Sequence, residues 1–123
     1  MHPVFQEIRE MATAKLRQAL RHEGGEEDPE SWDPDAFEGE VRQFTRQLGQ
    51  QFLQIWAEER VQQGQAQARF CSCGRRRRIQ EQQPFWWLST FGRVEVEAPH
   101  LRCPQGHGGD RPFQRLTGLK RLV

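Results

Sequence analysis

Three cysteines and one histidine form two short half-sites that could bind a metal ion. The first half-site holds Cys71 and Cys73, one residue apart, and the second holds Cys103 and His107. Thiolate and imidazole are the ligands that structural Zn²⁺ prefers, usually four of them in a tetrahedron. Gly and Pro stand beside the cysteines and allow the tight turns that such loops need. The sequence therefore predicts one Zn²⁺ held by these four side chains.

Two alternatives to this ligand set remain open. The cysteines could be small buried apolar residues, although this leaves two of them unexplained in a polar, Gly-rich turn. The first half-site is C-x-C, whereas C-x-x-C is the commoner form, and His107 stands where many zinc ribbons have cysteine. His100 is a second candidate for the fourth ligand, although its place within a predicted strand favours His107.

Four consecutive arginines follow the first half-site, and the charge of the chain is unevenly divided. Residues 61–123 hold 11 Lys and Arg against 4 Asp and Glu, whereas residues 1–60 hold 7 against 13, for a net charge of +1. A charge run is usually a solvated face, and part of this one could offset the thiolates. A basic half beside an acidic half nevertheless favours a polyanion partner for one end. The predicted nucleic-acid contacts are Arg75, Arg76, Arg77, Arg78, Arg93 and Arg102.

Helical periodicity predicts two helices before the half-sites, over residues 3–20 and 34–63. An acidic, Gly-rich linker is expected between them at residues 23–31. Asp33 can cap the second helix, and Pro34 suits its first position. The apolar stripe of that helix predicts a buried face, covered partly by the first helix and partly by a second copy in a homodimer. The stripe consists of Phe37, Val41, Phe44, Leu48, Phe52 and Ile55, with Trp56 beside it.

A β pattern replaces the helical one from about residue 69. Residues 76–80 predict a short strand, residues 80–83 with Pro84 a loop, and residues 85–91 and 93–102 two strands joined at Gly92. At least one of Trp86 and Trp87 should face inward, which leaves base stacking as the weaker interpretation. No closing element is expected in the basic tail, residues 108–123. The fold class is thus α+β, with a helical region at 1–64 and a small zinc-ribbon-like β module at 65–123.

Several classes of protein are disfavoured. No stretch is apolar enough to span a bilayer, and the first residues do not resemble a signal peptide. An odd number of cysteines, 3 in all, fits reduced thiols in a bacterial cytoplasm better than secretion. No pair of catalytic groups stands together outside the half-sites, and a metal closed by four protein ligands has no open position. We therefore expect a protein that is not an enzyme.

The order of these features resembles the N-terminal region of bacterial insertion-sequence transposases of the Kra-four group. The resemblance covers residues 36–119 and rests on C-S-C-G at 71–74, T-F-G-R-V at 90–94 and L-R-C-P at 101–104. Two features depart from the family pattern, His100-Leu101 and the segment E-A-P at 97–99. The sequence ends where the catalytic domain of the family would begin. The resemblance thus implies the DNA-binding and assembly end of a transposase without its nuclease chemistry.

Two functions are consistent with these observations. The first is a zinc-stabilised DNA-binding module that contacts phosphates through its arginines. The second is a zinc-ribbon module that binds a protein partner in a mobile-element or defence complex.

Overall fold

The protein has an α+β fold, as expected, with two long helices followed by a three-stranded antiparallel sheet. The computed structural model describes residues 1–23 and 33–119, so most of the predicted linker at 23–31 lies outside the described residues. By its contacts the chain divides into two compact units, Met1–Glu40 and Val41–Val123. The elements are α1 (Pro3–Glu23), α2 (Pro34–Gln67), β1 (Arg78–Ser89), β2 (Gly92–Arg102), β3 (Gly109–Asp110) and α3 (Pro112–Thr117).

The first unit contains α1 and the beginning of α2. Asp33 caps α2 as its sequence predicts, since its side chain accepts a hydrogen bond from the Asp35 backbone N–H at 3.0 Å. Pro34 occupies the first helical position, where its missing N–H costs nothing. The α1 residues Phe5 and Leu16 are exposed. No helix in the described ranges is long and apolar enough to cross a membrane.

The second helix continues past residue 63, where its predicted range ended before Gly64, and it ends at Gln67. Gly64 is buried within the helix, and a Cβ added there would lie 3.3 Å from Pro112. This glycine therefore permits α3 to approach the helix and does not terminate it. The division expected at residue 64 remains a prediction about which part can fold independently.

The sheet packs against a face of α2 that the apolar stripe did not indicate. Ala57 and Val61 are buried against the sheet, and Leu53 packs on the same cluster. Gln54 both accepts from the Glu95 N–H and donates to the Glu95 carbonyl, while Gln50 donates to the Arg93 carbonyl. These side chains cover the free edge of β2, which would otherwise present unpaired backbone groups. Small residues and glutamines of α2 therefore form this contact, and the predicted burial of the Phe44 and Ile55 face by the first helix and a second copy stays a prediction.

One long hairpin replaces the separate strands expected before Gly92. β1 pairs with β2 from Arg78↔Arg102 to Ser89↔Gly92, with an irregularity between Ile79 and Glu81. The loop predicted over residues 80–83 is therefore part of β1. Pro84 lies in β1, an edge strand of the β1-β2-β3 sheet, which is where proline is tolerated within sheets.

The core is completed by the segment in which no closing element was expected. Phe113 of α3 is fully buried and meets the Phe85 ring edge-on, with 5.5 Å between ring centroids. Val94, Val96 and Ala98 supply the β2 side of this cluster. A two-residue strand and a six-residue helix thus seal a core that the hairpin and α2 leave open.

Candidate metal centre

The structure brings the four predicted ligands together at one end of the sheet. The Nδ1 of His107 lies 3.8 Å from the Cys71 Sγ and 3.7 Å from the Cys103 Sγ. The Cys73 Sγ lies 3.6 Å from the Cys103 Sγ. One ligand atom from each of the four residues lies within 4.8 Å of every other. Residues separated by thirty positions in the sequence therefore form one cluster.

Two backbone turns of the same kind hold the cysteines. The Gly74 N–H donates to the Cys71 carbonyl at 2.9 Å, and the Gly106 N–H donates to the Cys103 carbonyl at 3.1 Å. Both glycines have positive φ, 86° and 79°, which residues with a Cβ rarely adopt. Each turn places its glycine three residues after the first cysteine. The local sequence of each half-site thus determines the loop that presents its sulfur.

Three of the distances between ligand atoms fit the edges of a tetrahedral metal site. Metal bonds of about 2.3 Å to sulfur and about 2.1 Å to nitrogen give tetrahedral edges of about 3.6–3.8 Å between ligand atoms. The three contacts between neighbouring ligand atoms span 3.6 to 3.8 Å. Three cysteines and one histidine are therefore close enough to hold a metal ion.

The ionisation of the thiols also favours a cation at this position. The pKa of Cys71 is lowered to about 6, first because the Cys73 backbone N–H donates to its sulfur and second because of His107. The Arg75 backbone N–H lowers the pKa of Cys73, but burial and the Cys103 and Cys71 thiols raise it by more. One thiolate therefore disfavours the next when no cation lies between them. A divalent ion removes this conflict and favours thiolate at all three sulfurs.

His100, the alternative fourth ligand, lies elsewhere. It is half-buried in β2, and its imidazole packs directly over the Cα of Gly109. It does not belong to the group of side chains that could hold a metal ion. The glycine at position 109 leaves room for this ring, so His100 has a packing role in the described structure.

Arg77 differs from the other members of the arginine run because its side chain points into the protein. Its Nη1 donates to the Ala68 carbonyl at 3.1 Å and lies 3.7 Å from the Asp110 carboxylate. Asp110 is also bound by Arg115 through two hydrogen bonds of 3.0 and 2.9 Å. Arg115 is the main reason that the pKa of Asp110 is lowered. Arg77 thus joins the end of α2 to the strand that follows the second half-site.

The remaining arginines of the run are exposed and line a groove. Its volume is about 800 Å³, and it lies between the C-terminal turns of α2 and the first half-site. Gln62, Gln65 and Arg69 form the helical side, and no carboxylate lines it. Among the described residues, no carboxylate lies within ion-pair distance of the exposed members of this group. These members are Arg69, Arg75, Arg76 and Arg78.

Arg93 and Arg102, the other two predicted contacts, have different surroundings. The Arg93 guanidinium stacks 4.4 Å above the Trp86 ring and lies 3.4 Å from the Glu95 carboxylate. Arg102 is exposed at the metal end of β2, directly opposite Arg78 in the hairpin. The structure therefore groups Arg102 with the exposed run and leaves Arg93 paired at the far end.

Sequence reasoning missed the glutamines of the groove and the role of Asp110. Gln62 and Gln65 belong to a glutamine-rich helical segment, in which nothing distinguishes them from solvated residues. Asp110 offered one signal, since it is the only acidic side chain after residue 97 in a strongly basic segment. A single acid among many arginines is a candidate for an internal ion pair.

No family model, curated protein or solved structure matches this chain. The transposase resemblance therefore remains a prediction. The function of the protein has to be argued from the metal-ligand cluster and the groove of arginines beside it.

Proposed function

We propose that the protein is a zinc-stabilised DNA-binding module of the zinc-ribbon type, related to the N-terminal assembly region of a transposase and without catalytic activity. The observation that carries this proposal is the position of the unpaired arginines. Arg75, Arg76 and Arg78 follow the first metal half-site directly and face a groove that no carboxylate lines. Guanidinium groups in such a surface are suited to bind phosphate oxygens.

The metal supports this function through structure. A Cys3His donor set favours Zn²⁺, because soft thiolates with imidazole in a tetrahedron suit that ion. When bound, Zn²⁺ would hold the two half-sites together and offset the charge of three thiolates. The chain's own residues then orient the groove, since Arg77 fixes the middle of the run to Ala68 and Asp110.

The charge arrangement favours a polyanion over a neutral partner. Like charges directly opposite each other in a hairpin destabilise it, yet Arg78 faces Arg102 across β1 and β2. The end of a helix with free carbonyls is also unfavourable for an anion, but Arg77 satisfies the Ala68 carbonyl there. A phosphate backbone in the groove would relieve the repulsion between the exposed arginines.

The test is a salt titration of DNA binding by the zinc-loaded protein. Replacing Arg75, Arg76 and Arg78 together by Ala should weaken binding equally for all duplex sequences, since arginine–phosphate pairing carries no sequence information. The log–log salt slope should fall by about 0.9 for each phosphate that the variant no longer neutralises. Metal content and helix content should stay unchanged, because these side chains do not touch the ligands.

A matched control removes the same charge from α1. Replacement of Arg9, Arg17 and Arg21 by Ala should leave both the affinity and the salt slope close to those of the parent. If the parent binds no DNA at low salt, the proposed function fails. If it binds DNA but both triple variants behave alike, the arginine run is a solvated face and DNA contacts another surface.

A second candidate is a module that binds a protein partner. The observation in its favour is the exposed apolar side of α2, where Phe44, Ile55 and Trp56 remain accessible. It gains support over the first candidate if DNA binding shows no dependence on the arginine run.

A further inference from the structure

The second helix carries apolar residues on two opposite sides. Residues on one side pack under the sheet from Leu53 to Val61. On the other side, apolar residues spaced by three and four follow about four turns; Val41, Phe44, Ile55 and Trp56 are exposed, and Leu48 and Phe52 are half-buried. We call these residues the outer stripe of α2. They are Val41, Phe44, Leu48, Phe52, Ile55 and Trp56.

The sheet of the same chain does not cover the outer stripe. Residues seven apart lie on one side of a helix, and those about two apart lie on nearly opposite sides. Ala57, which is fully buried under the sheet, stands two positions after Ile55. The sheet therefore occupies the side of α2 that faces away from Ile55 and Phe44.

The accessible area is large enough for a specific interface. Val41, Phe44, Ile55 and Trp56 keep 41%, 59%, 56% and 42% of their surface exposed. Since large apolar side chains bury roughly 150–250 Å² each, these four leave on the order of 400 Å² of apolar surface per chain. Two chains would bury about 800 Å² of such surface by the same reckoning. About 65% of the buried surface in homodimer interfaces is apolar. With about 800 Å² of apolar surface, the whole interface would therefore bury about 1,200 Å², which is the lower end of the range for specific interfaces.

The residues that flank the outer stripe favour a second copy of this chain as the occupant. Thr45, Gln47 and Gln51 stand beside its middle turns and carry no charge, whereas the carboxylates of Glu40 and Glu59 flank its two ends. In a two-fold dimer the same flank meets itself, so a charged border of one sign would repel its copy. A foreign partner would instead be selected by a charged border of complementary sign. The neutral border along the middle turns, with its apolar centre, is therefore compatible with self-association.

We propose that the outer stripe of α2 is the interface of a homodimer, and that each copy presents its own arginine groove. Gln62 lies seven positions after Ile55, on the same side of α2 and about two turns beyond the outer stripe. The dimer would thus hold two grooves in one assembly. The two could engage one DNA molecule, which raises the apparent affinity without any new contact.

Light scattering of the zinc-loaded full chain at micromolar concentration tests the interface. The expected mass is twice the chain mass of 14.5 kDa. Phe44→Glu and Ile55→Glu should each reduce it to one chain mass, because a buried unpaired carboxylate is costly. Gln43→Glu, an exposed position on the side of α2 away from the outer stripe, should leave the dimer intact.

Circular dichroism and metal content verify folding of each variant, since neither Phe44 nor Ile55 belongs to the core. A single-chain mass for the parent would overturn the proposal, and α1 would then be the better candidate to cover the outer stripe. A dimer that survives both substitutions would also overturn it, because the interface would lie elsewhere. Neither outcome depends on DNA binding, so failure here is distinct from failure of the proposed function.

Discussion

At the scale of residues, one run of four arginines divides into two roles. Arg77 contacts the Ala68 carbonyl and Asp110, whereas Arg75, Arg76 and Arg78 are exposed. Strand alternation could separate odd from even positions, but it could not indicate which side would meet the half-buried carboxylate of Asp110. The answer depends on Asp110, which stands more than thirty residues further along the chain.

The two candidate histidines make a sharp residue-level prediction. His107→Ala should lower zinc stoichiometry or affinity strongly, because it removes one of four ligands. His100→Ala should retain about one zinc per chain and lose only the packing over Gly109. Metal analysis after gel filtration distinguishes the two variants. Equal metal content in both proteins, at the parent level, would contradict the assignment of His107.

At the scale of elements, the contact between α2 and the hairpin depends on a close approach. A Cβ added at Gly49 would lie 2.6 to 2.8 Å from atoms of the Phe91 ring, which packs on the helix from the hairpin turn. Real Cβ atoms do not approach so closely, so the ring would have to leave its position. Gly49 therefore lowers the helix propensity of α2 but permits the turn to dock.

Two alanine substitutions in α2 separate these effects. Gly39→Ala has nothing within 4 Å of the new Cβ and should stabilise the protein by about 0.5–1 kcal/mol through helix propensity. Gly49→Ala makes the same chemical change but displaces Phe91, so it should stabilise less or destabilise. Denaturant unfolding of both variants measures the difference, which we expect to be about 1 kcal/mol or more. Equal stabilisation by both substitutions would show that the packing of Phe91 against α2 contributes little to the free energy of unfolding.

At the scale of the whole molecule, the part after α2 has a small hydrophobic core, and its stability depends on further contacts between its loops. Its fully buried large side chains include Phe85, Val94 and Phe113. The metal cluster and the Arg77–Asp110–Arg115 group connect the loops at the other end of the sheet. A core of this size is expected to need such support, as small metal-binding modules do.

Removal of metal by a chelator should therefore unfold the sheet and its half-sites. The helices should keep part of their content, although α2 would no longer have the sheet packed on it and isolated helices are only marginally stable. Circular dichroism and limited proteolysis should report cleavage after residue 68 in the metal-free protein. An unchanged spectrum and protease resistance, with metal shown to be absent, would contradict a structural role for the ion.

The sequence by itself determined what depends on neighbouring residues along the chain. The two half-site turns follow from their cysteines and glycines, the start of α2 follows from Asp33 and Pro34, and the hairpin turn follows from Gly92. Only the tertiary structure decided which side of α2 meets the sheet. The side chains of Gln50 and Gln54 form hydrogen bonds with the backbone of β2, and the small side chain of Ala57 allows the helix to approach closely. The helical pattern indicated the side with the larger apolar residues, since periodicity measures hydrophobicity and contains no information about the open edge of a strand. The same limit hid the strand over residues 80–83 and the closing role of Phe113, both of which depend on partners distant in the chain.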